Sequence, residues 1–462
     1  MSEEVVKTFD RRRGIMPLPA SPSRNARMRP YEAYVSRLQR IVEESLSTPA
    51  NLDGQARKEI CQALDGEPAK ELRRLIQLDI QRASGAFFSG QKLSDHLSSL
   101  LSFEKAGRNP VIIDPACGTG DLLLACSKHL PLSEDLFATL SQWGKSLIGY
   151  DLHSEFVRAT KIRLALAAIS RGVPCSHTSW ESIDKSFPSI KVRDALESSP
   201  EIGRATHIVL NPPYVQRATP PNCVWAKGLV SSAAVFLDTC ISRAMPGAQV
   251  SAILPDVLRT GSRYERWRQH IQKLATVRNV RTIGKFDRWA DVDVFLICLI
   301  VDNNSCGRQI WWRAKNGSHS GKAKDYFKVH IGSVVPHRDA KKGSLRRYIY
   351  SRLLPPWQIV RRVKTRKYAG KVFLPPFVAV RRTSSPGDRY RAVATIVTGK
   401  KPVAAENHLL VLLPHDKSLR RCHELLRVLK SADTNKWLNS RIRCRHLTVP
   451  ALRELPWWTR TR

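Results

Sequence analysis

Apolar positions fall into three regimes along the chain. From Tyr31 they recur at three- and four-residue steps, at Tyr34, Val35, Leu38, Ile41, Val42 and Leu46. That is the spacing of one helical face. Leu72, Leu75, Ile76 and Ile80 repeat the pattern and predict a second helix. Residues 31–84 therefore read as a small helical subdomain. Before it, residues 1–30 carry Arg11-Arg12-Arg13 and scattered Pro and Ser, and predict a flexible basic arm.

Over 85–305 the pattern changes to short apolar runs alternating with helical stretches. Val111-Ile112-Ile113, Leu147 to Tyr150, His207 to Leu210, Val250 to Leu254 and Phe295 to Val301 read as strands. Leu122 to Leu130, Phe156 to Ser170 and Val235 to Ala244 read as helices, the last ending at Pro246-Gly247. Such alternation predicts a doubly wound α/β sheet. Residues 306–462 are richer in Arg, Trp and Pro and form a third region.

A length of 462 residues suits two or three domains. Charge changes the picture most. Lys and Arg outnumber Asp and Glu by 76 to 40, a net of +36. Residues 311–462 hold 35 basic against 8 acidic side chains, a net of +27, so three quarters of the excess lies in the last third. A surface so charged favours a polyanionic partner, because basic side chains release counterions condensed on phosphates. The ten Cys include no Cys-x-x-Cys, and neither Cys422-His423 nor Cys444-Arg445-His446 has zinc-ligand spacing, so no metal site is expected. Reduced thiols and an N-terminus without an apolar signal core predict a cytoplasmic protein. The longest apolar run, Val294 to Val301, is too short to span a bilayer.

Two motifs carry candidate chemistry. Asp114-Pro115-Ala116-Cys117-Gly118-Thr119-Gly120 lies between a predicted strand and a predicted helix. Glycines there let the backbone approach a ligand, and the helix N-terminus favours a carboxylate. Asp151, just after the second predicted strand, can accept hydrogen bonds from ribose hydroxyls, with Leu152 beside it. Alone, Asp151 reads equally as a helix N-cap. Asn211-Pro212-Pro213-Tyr214 follows another buried strand. Two prolines fix φ and lack N–H donors, so the turn presents acceptors. The Asn211 amide oxygen and the Pro212 carbonyl can accept from one NH2 group, which frees the nitrogen lone pair. Tyr214 offers a ring on which a flat base can stack.

With these residues the chain resembles the N6-adenine DNA methyltransferases of restriction–modification systems, in the gamma order with the target-recognition domain C-terminal. The resemblance covers about residues 80–305 and implies a Rossmann-like class I S-adenosylmethionine (SAM)-dependent methyltransferase sheet. It also implies a C-terminal α+β DNA-recognition domain over 306–462. By the same match Phe88 and Ser89, in Gly85-Ala86-Phe87-Phe88-Ser89, belong to the cofactor segment, and Ser89 reaches the methionine carboxylate. Phe236 matches an aromatic that packs on the flipped base. Glu181 lies where the family has an acidic residue after the third strand that contacts the SAM adenine. In the recognition domain, Pro375-Pro376-Phe377, Arg381-Arg382 and Glu406-Asn407-His408 resemble family segments. Double-stranded DNA is the implied partner, together with a separately encoded restriction endonuclease and no membrane. Two other readings stand beside this one. Asn-Pro-Pro-Tyr also serves methyltransferases acting on RNA or on a protein glutamine amide, and a catalytically silent DNA-binding subunit is the alternative of another class.

Overall fold

The computed structural model describes residues 28–47, 54–103, 110–175, 179–197, 199–286, 292–302, 311, 321–443 and 445–458. Most of the expected basic arm, including Arg11-Arg12-Arg13, lies outside the described residues, as do Cys306 and Cys444.

Up to residue 302 the chain forms helices α1 (Glu32–Ser47), α2 (Gly54–Leu64), α3 (Glu67–Leu75), α4 (Leu78–Ser84), α5 (Gly90–Ser98), α6 (Asp121–Ser127), α7 (Leu136–Ser146), α8 (Ser154–Ser170), α9 (Trp180–Ser186), α10 (Ser232–Arg243), α11 (Asp256–Thr260) and α12 (Glu265–Leu274). Interleaved with them are strands β1 (Ile112–Asp114), β2 (Leu147–Asp151), β3 (Ile190–Val192), β4 (His207–Leu210), β5 (Gln216–Ala218), β6 (Leu229–Ser231), β7 (Gln249–Pro255), β8 (Ala275–Lys285) and β9 (Asp293–Val301). The chain divides into two compact units, Met1–Gly90 with Cys117–Ser198, and Gln91–Ala116 with Ser199–Arg462.

In the first unit, α1 and α2 pack on α8. The face Tyr34, Val35, Leu38, Ile41 and Val42 is buried, as its spacing predicts. The expected single helix through Leu72 and Ile80 is instead two. The chain leaves α3 at Ile76, which is extended, and restarts at Leu78. A buried side chain explains the break: the Gln81 amide donates to the carbonyls of Leu72 (3.2 Å) and Ile76 (2.7 Å), satisfying helix-end acceptors that would otherwise be orphaned. Strands β2 and β3 pair in parallel, Gly149 opposite Ile190 and Asp151 opposite Val192. Asp135 starts α7 by accepting from the Ala138 N–H at 2.7 Å, a side-chain N-cap.

One buried cation organises this unit. Arg163, on α8, is fully buried. Its Nε and Nη2 donate to the carbonyls of Ala63 and Leu64 at the end of α2, each at 2.8 Å. Its Nη1 donates to the Thr119 carbonyl and to Asp121 Oδ1, the latter at 2.8 Å. Arg163 is thus a C-cap for one helix and an ion pair at the start of another.

In the second unit β1, β4 and β7 run parallel, with Ile112 opposite His207 and Leu210 opposite Ala252. Strand β9 is antiparallel to β7, and β8 pairs antiparallel with β9 at the sheet edge. Every residue of β4 is buried, which fits a strand covered on both faces. The Rossmann-like α/β sheet expected from the sequence is present.

Beyond residue 320 the second unit continues as β10 (Phe327–Ile331), β11 (Leu345–Ile349), β12 (Ile359–Val360), β13 (Lys364–Lys367), β14 (Phe377–Arg381), β15 (Ala394–Val397), β16 (Val403–Ala405) and β17 (Leu409–Pro414), with helices α13 (Ala323–Tyr326), α14 (Leu419–Lys430), α15 (Ala432–Arg441) and α16 (Val449–Arg453). A five-stranded sheet runs in the order β10-β17-β14-β15-β12. The two-residue period of β14 divides its faces. Val378 and Val380 pack with Leu425 and Leu429 of α14, while Phe377 and Ala379 pack with Ile349, Val403 and Val411. Ser418, Ser431 and Thr448 each cap the helix that follows. The expected α+β region is therefore a sheet with helices on one face.

Two stability tests follow. A Cβ added at Gly144 would stand 1.8 Å from the Ser186 carbonyl oxygen, so Gly144→Ala is expected to lower the urea midpoint by an amount equivalent to about 1–3 kcal/mol, the usual overpacking cost. Arg163→Met strands Asp121 and three carbonyls and is expected to destabilise by about 3–5 kcal/mol in the same experiment. A midpoint unchanged in the Arg163 variant would refute its organising role.

Candidate active site

The first unit holds the expected donor half. Cys117 donates its N–H to the Tyr150 carbonyl at 2.8 Å, and Gly120 donates to the Cys117 carbonyl at 2.8 Å. Gly118 and Gly120 have φ of +53° and +86°, a region that side chains disfavour. A Cβ on Gly120 would come 2.7 Å from the Thr160 methyl, and one on Gly118 would come 3.2 Å from the Phe88 ring. The turn is therefore closed to any larger residue. Phe88 is itself fixed edge-on against Phe156 (5.2 Å) and Tyr31 (6.3 Å). The half-buried Ser89 precedes Gly90, whose N–H donates to Asp121 Oδ2 at 2.7 Å.

Asp151 ends β2 and faces the turn. Its Oδ2 accepts from the Gly118 N–H at 3.0 Å and its Oδ1 from the His153 N–H at 2.9 Å. Burial raises its pKa, opposed by His153 and by these backbone donors. Asp151 thus holds the glycine turn and the residues that lead into α8, whose N-cap is His153. Leu152 beside it is 37% exposed, an apolar surface open at that strand end.

Glu181 is not where the sequence reading put it. It lies in the first turn of α9, exposed and before β3 rather than after it. The carboxylate that follows β3 is Asp194, half-buried, two residues past the register partner of Asp151. Its Oδ1 accepts from the Leu196 N–H at 2.9 Å, and Arg193 N–H donates to the Asp151 carbonyl at 2.9 Å. The short strand Ile190–Val192 has no apolar run to announce it, so the acidic position slipped by thirteen residues.

Asp114, Pro115 and Ala116 belong to the second unit, where Asp114 is buried and its Oδ1 accepts from the Ala116 N–H at 3.0 Å. Asn211-Pro212-Pro213-Tyr214 follows β4 in the same unit. Tyr214 Oη donates to Asn211 Oδ1 at 2.8 Å and lies 3.3 Å from the Ile253 carbonyl of β7. Burial pushes the Tyr214 hydroxyl well above its ordinary pKa, so it stays a donor. The tyrosine therefore determines which end of the Asn211 amide carries the acceptor.

Phe236 sits in α10 and is 8% exposed, whereas the ring beside Tyr214 is Phe286, edge-on at 6.1 Å and 83°. Phe286 closes the β8 end of the β8–β9 hairpin, its N–H donating to the Val292 carbonyl at 2.8 Å. The turn end of that hairpin is anchored to the C-terminal region. Arg443 Nε donates to Asp293 Oδ1 at 3.0 Å, its backbone N–H donates to Asp256 Oδ2 at 3.0 Å, and its guanidinium lies over Gly284. Asp256 also holds the buried Arg259 at 2.7 Å, and Arg259 reaches the Ser440 carbonyl at 3.0 Å.

No helix among the described residues is long and apolar enough to cross a membrane. The solved structures that resemble this chain include the type IIL restriction–modification enzyme MmeI in complex with DNA, at 12% identity over 87% of this chain and 67% of that one, with a TM-score of 0.43. The type IIG restriction endonuclease BpuSI is 14% identical over 84% of this chain, with a TM-score of 0.41, and this chain spans 61% of its length. A class I S-adenosylmethionine-dependent methyltransferase from Listeria monocytogenes is 13% identical over 61% of this chain and 92% of its own, with a TM-score of 0.36. The N-6 DNA Methylase family model matches residues 77–227, a span that contains the glycine turn, Asp151 and Asn211 to Tyr214. Residues 77–227 are therefore similar to the N-6 DNA Methylase family.

Proposed function

We propose that this protein transfers a methyl group from SAM to the N6 amine of an adenine flipped out of duplex DNA at a specific sequence. We place it as the modification partner of a separately encoded restriction endonuclease. One observation carries the reading. The Asn211 amide oxygen is oriented by Tyr214, and a second ring, Phe286, stands edge-on to Tyr214. That is an acceptor beside an aromatic corner, the surroundings a planar aminopurine needs.

The chain's residues fit the cofactor. A backbone that only glycine can follow, Asp151 and Asp194 at adjacent strand ends, and the exposed Leu152 suit a ribose diol and a flat apolar base. When bound, SAM supplies an electrophilic sulfonium methyl. Asn211 Oδ1 and the Pro212 carbonyl accept the two amine hydrogens, which draws the nitrogen toward tetrahedral geometry and exposes its lone pair. Tyr214 and Phe286 hold the ring plane. No strong base is required, since the proton leaves after transfer. A stacked adenine cannot reach such a site, so flipping, at about a few kcal/mol, must be offset by phosphate contacts. The basic last third supplies them.

Acceptance by RNA or by a glutamine amide is the competing outcome of a radiolabelled-SAM assay on DNA, RNA and protein. Label on adenine N6 of duplex DNA supports the proposal, and label on protein alone overturns it. Asn211→Ala is expected to lower transfer by at least about 100-fold while SAM affinity by calorimetry is retained. Tyr214→Phe keeps the ring but frees the amide, and should lower kcat by about 2- to 10-fold, the worth of one hydrogen bond. Wild-type kinetics in Asn211→Ala would dismiss the mechanism.

A further inference from the structure

Two segments of the recognition region, Arg381-Arg382 and Glu406-Asn407-His408, converge on one cavity of about 260 Å³. It is lined by Ser351, Arg352, Arg381, Thr383 and His408. Pairing of β14 with β17 sets Arg381 opposite Leu409 and so brings His408 to the Arg381 end. Thr383 is held there through its side-chain contact with His446 Nδ1, at 3.3 Å.

The lining is one-sided in charge. It has two guanidiniums, an imidazole and two hydroxyls, and no carboxylate. Arg381 is steadied by donation from Nη2 to the Leu354 carbonyl at 2.9 Å, which uses one of its five N–H groups. Among the described residues, neither Arg352 nor Arg381 pairs with a carboxylate. Glu406 stands at the margin, where its Oε2 accepts from the Ser351 N–H at 3.4 Å. In the residue after Arg381, Arg382 Nε is buried with no hydrogen-bond partner among the described residues. Cations gathered without counter-charge around a concavity repel each other unless an anion enters.

We propose that this cavity holds a backbone phosphate of the DNA duplex. The proposal rests on the DNA reading above and adds a defined contact to it. Arg352, Thr383 and His408 are exposed at the rim, so the site opens to a polymer rather than enclosing a small ligand. Planar guanidiniums with hydroxyl donors match phosphate oxygens. A duplex offers such a group about every 3.4 Å along each strand.

The test measures duplex affinity of the full chain with SAM present, over a range of salt, for cognate and unrelated sequences. Arg352 is exposed, so Arg352→Gln should leave the fold intact. It is expected to make the slope of log Kobs against log salt shallower by about 0.9, and to weaken both sequences by the same factor. Arg352→Lys should restore the slope, and Thr383→Ala should weaken binding in the same sense. An unchanged slope overturns the proposal. So does an altered sequence preference at constant slope, which would mean base reading instead. A third contrary result is inorganic phosphate shifting the His408 imidazole resonances while the Arg352→Gln slope stays that of the parent, which would assign the cavity to free anions. Duplex binding without methyl transfer would remove the enzymatic reading alone, because the slope comparison still tests the phosphate contact. Absence of duplex binding by the unmodified chain removes both.

Discussion

The first unit depends on a buried guanidinium. Arg163 brings a full charge into a site without water, and such a charge persists only if its donors are taken up. They are taken up by the ends of other elements: two carbonyls closing α2, the Thr119 carbonyl inside the glycine turn, and Asp121 at the start of α6. Asp121 passes the constraint on by accepting from Gly90, just after Phe88 and Ser89. One side chain thus sets the N-terminal helices, the segment before α5 and the turn after β1 in a single arrangement. The N-terminal helices are therefore part of the scaffold of the glycine turn, and Tyr31, Phe88 and Phe156 pack together beside it.

The second unit uses a buried carboxylate to the same end. Asp256 follows β7, accepts from Arg259 and Thr260 on its own helix, and takes the backbone N–H of Arg443 from the far region. Arg443 in turn grips Asp293 at the turn end of the hairpin that carries Phe286. The ring beside Tyr214 is accordingly held by the C-terminal region as well as by its own strands. If that region binds DNA, as we propose, the residues that grip the duplex and those that frame the base share one covalent and ionic path.

What was legible in the sequence is what local chemistry dictates. The glycine turn and Asn211 to Tyr214 could be read because each follows a short apolar strand and contains residues with few conformations. Asp151 was legible for the same reason. The residues that were missed owe their roles to distant partners. Arg163 sits in a helix where any Arg suggests a solvated face, and only the carbonyls of Ala63 and Leu64, about a hundred positions away, explain its burial. Phe286 ends an edge strand whose residues are mostly exposed, so no apolar period marked it. Asp194 follows a three-residue strand with no apolar run to mark its place. The helix break at Ile76 depended on Gln81, a polar side chain buried against the rule for its type.

Charge was the bluntest of the sequence signals, and the structure divides it into two populations. Part of the basic excess never meets solvent. Arg391 is fully buried and donates to the carbonyls of Ser384 and Ile442, and Arg259 closes on Asp256. Arg441 is pushed down to about 10 by burial and by the nearby Arg268 and Arg259. Arg391 and Arg259 act as donors to backbone carbonyls and hold loops together, a task that salt screens little. Others are exposed, among them Arg352, Arg361, Arg362, Lys364, Lys367 and Lys371 of the same region. Only this second set can release counterions from a polyanion. The net of +27 therefore overstates the charge available to a polyanion, because buried side chains such as Arg391 are counted in it.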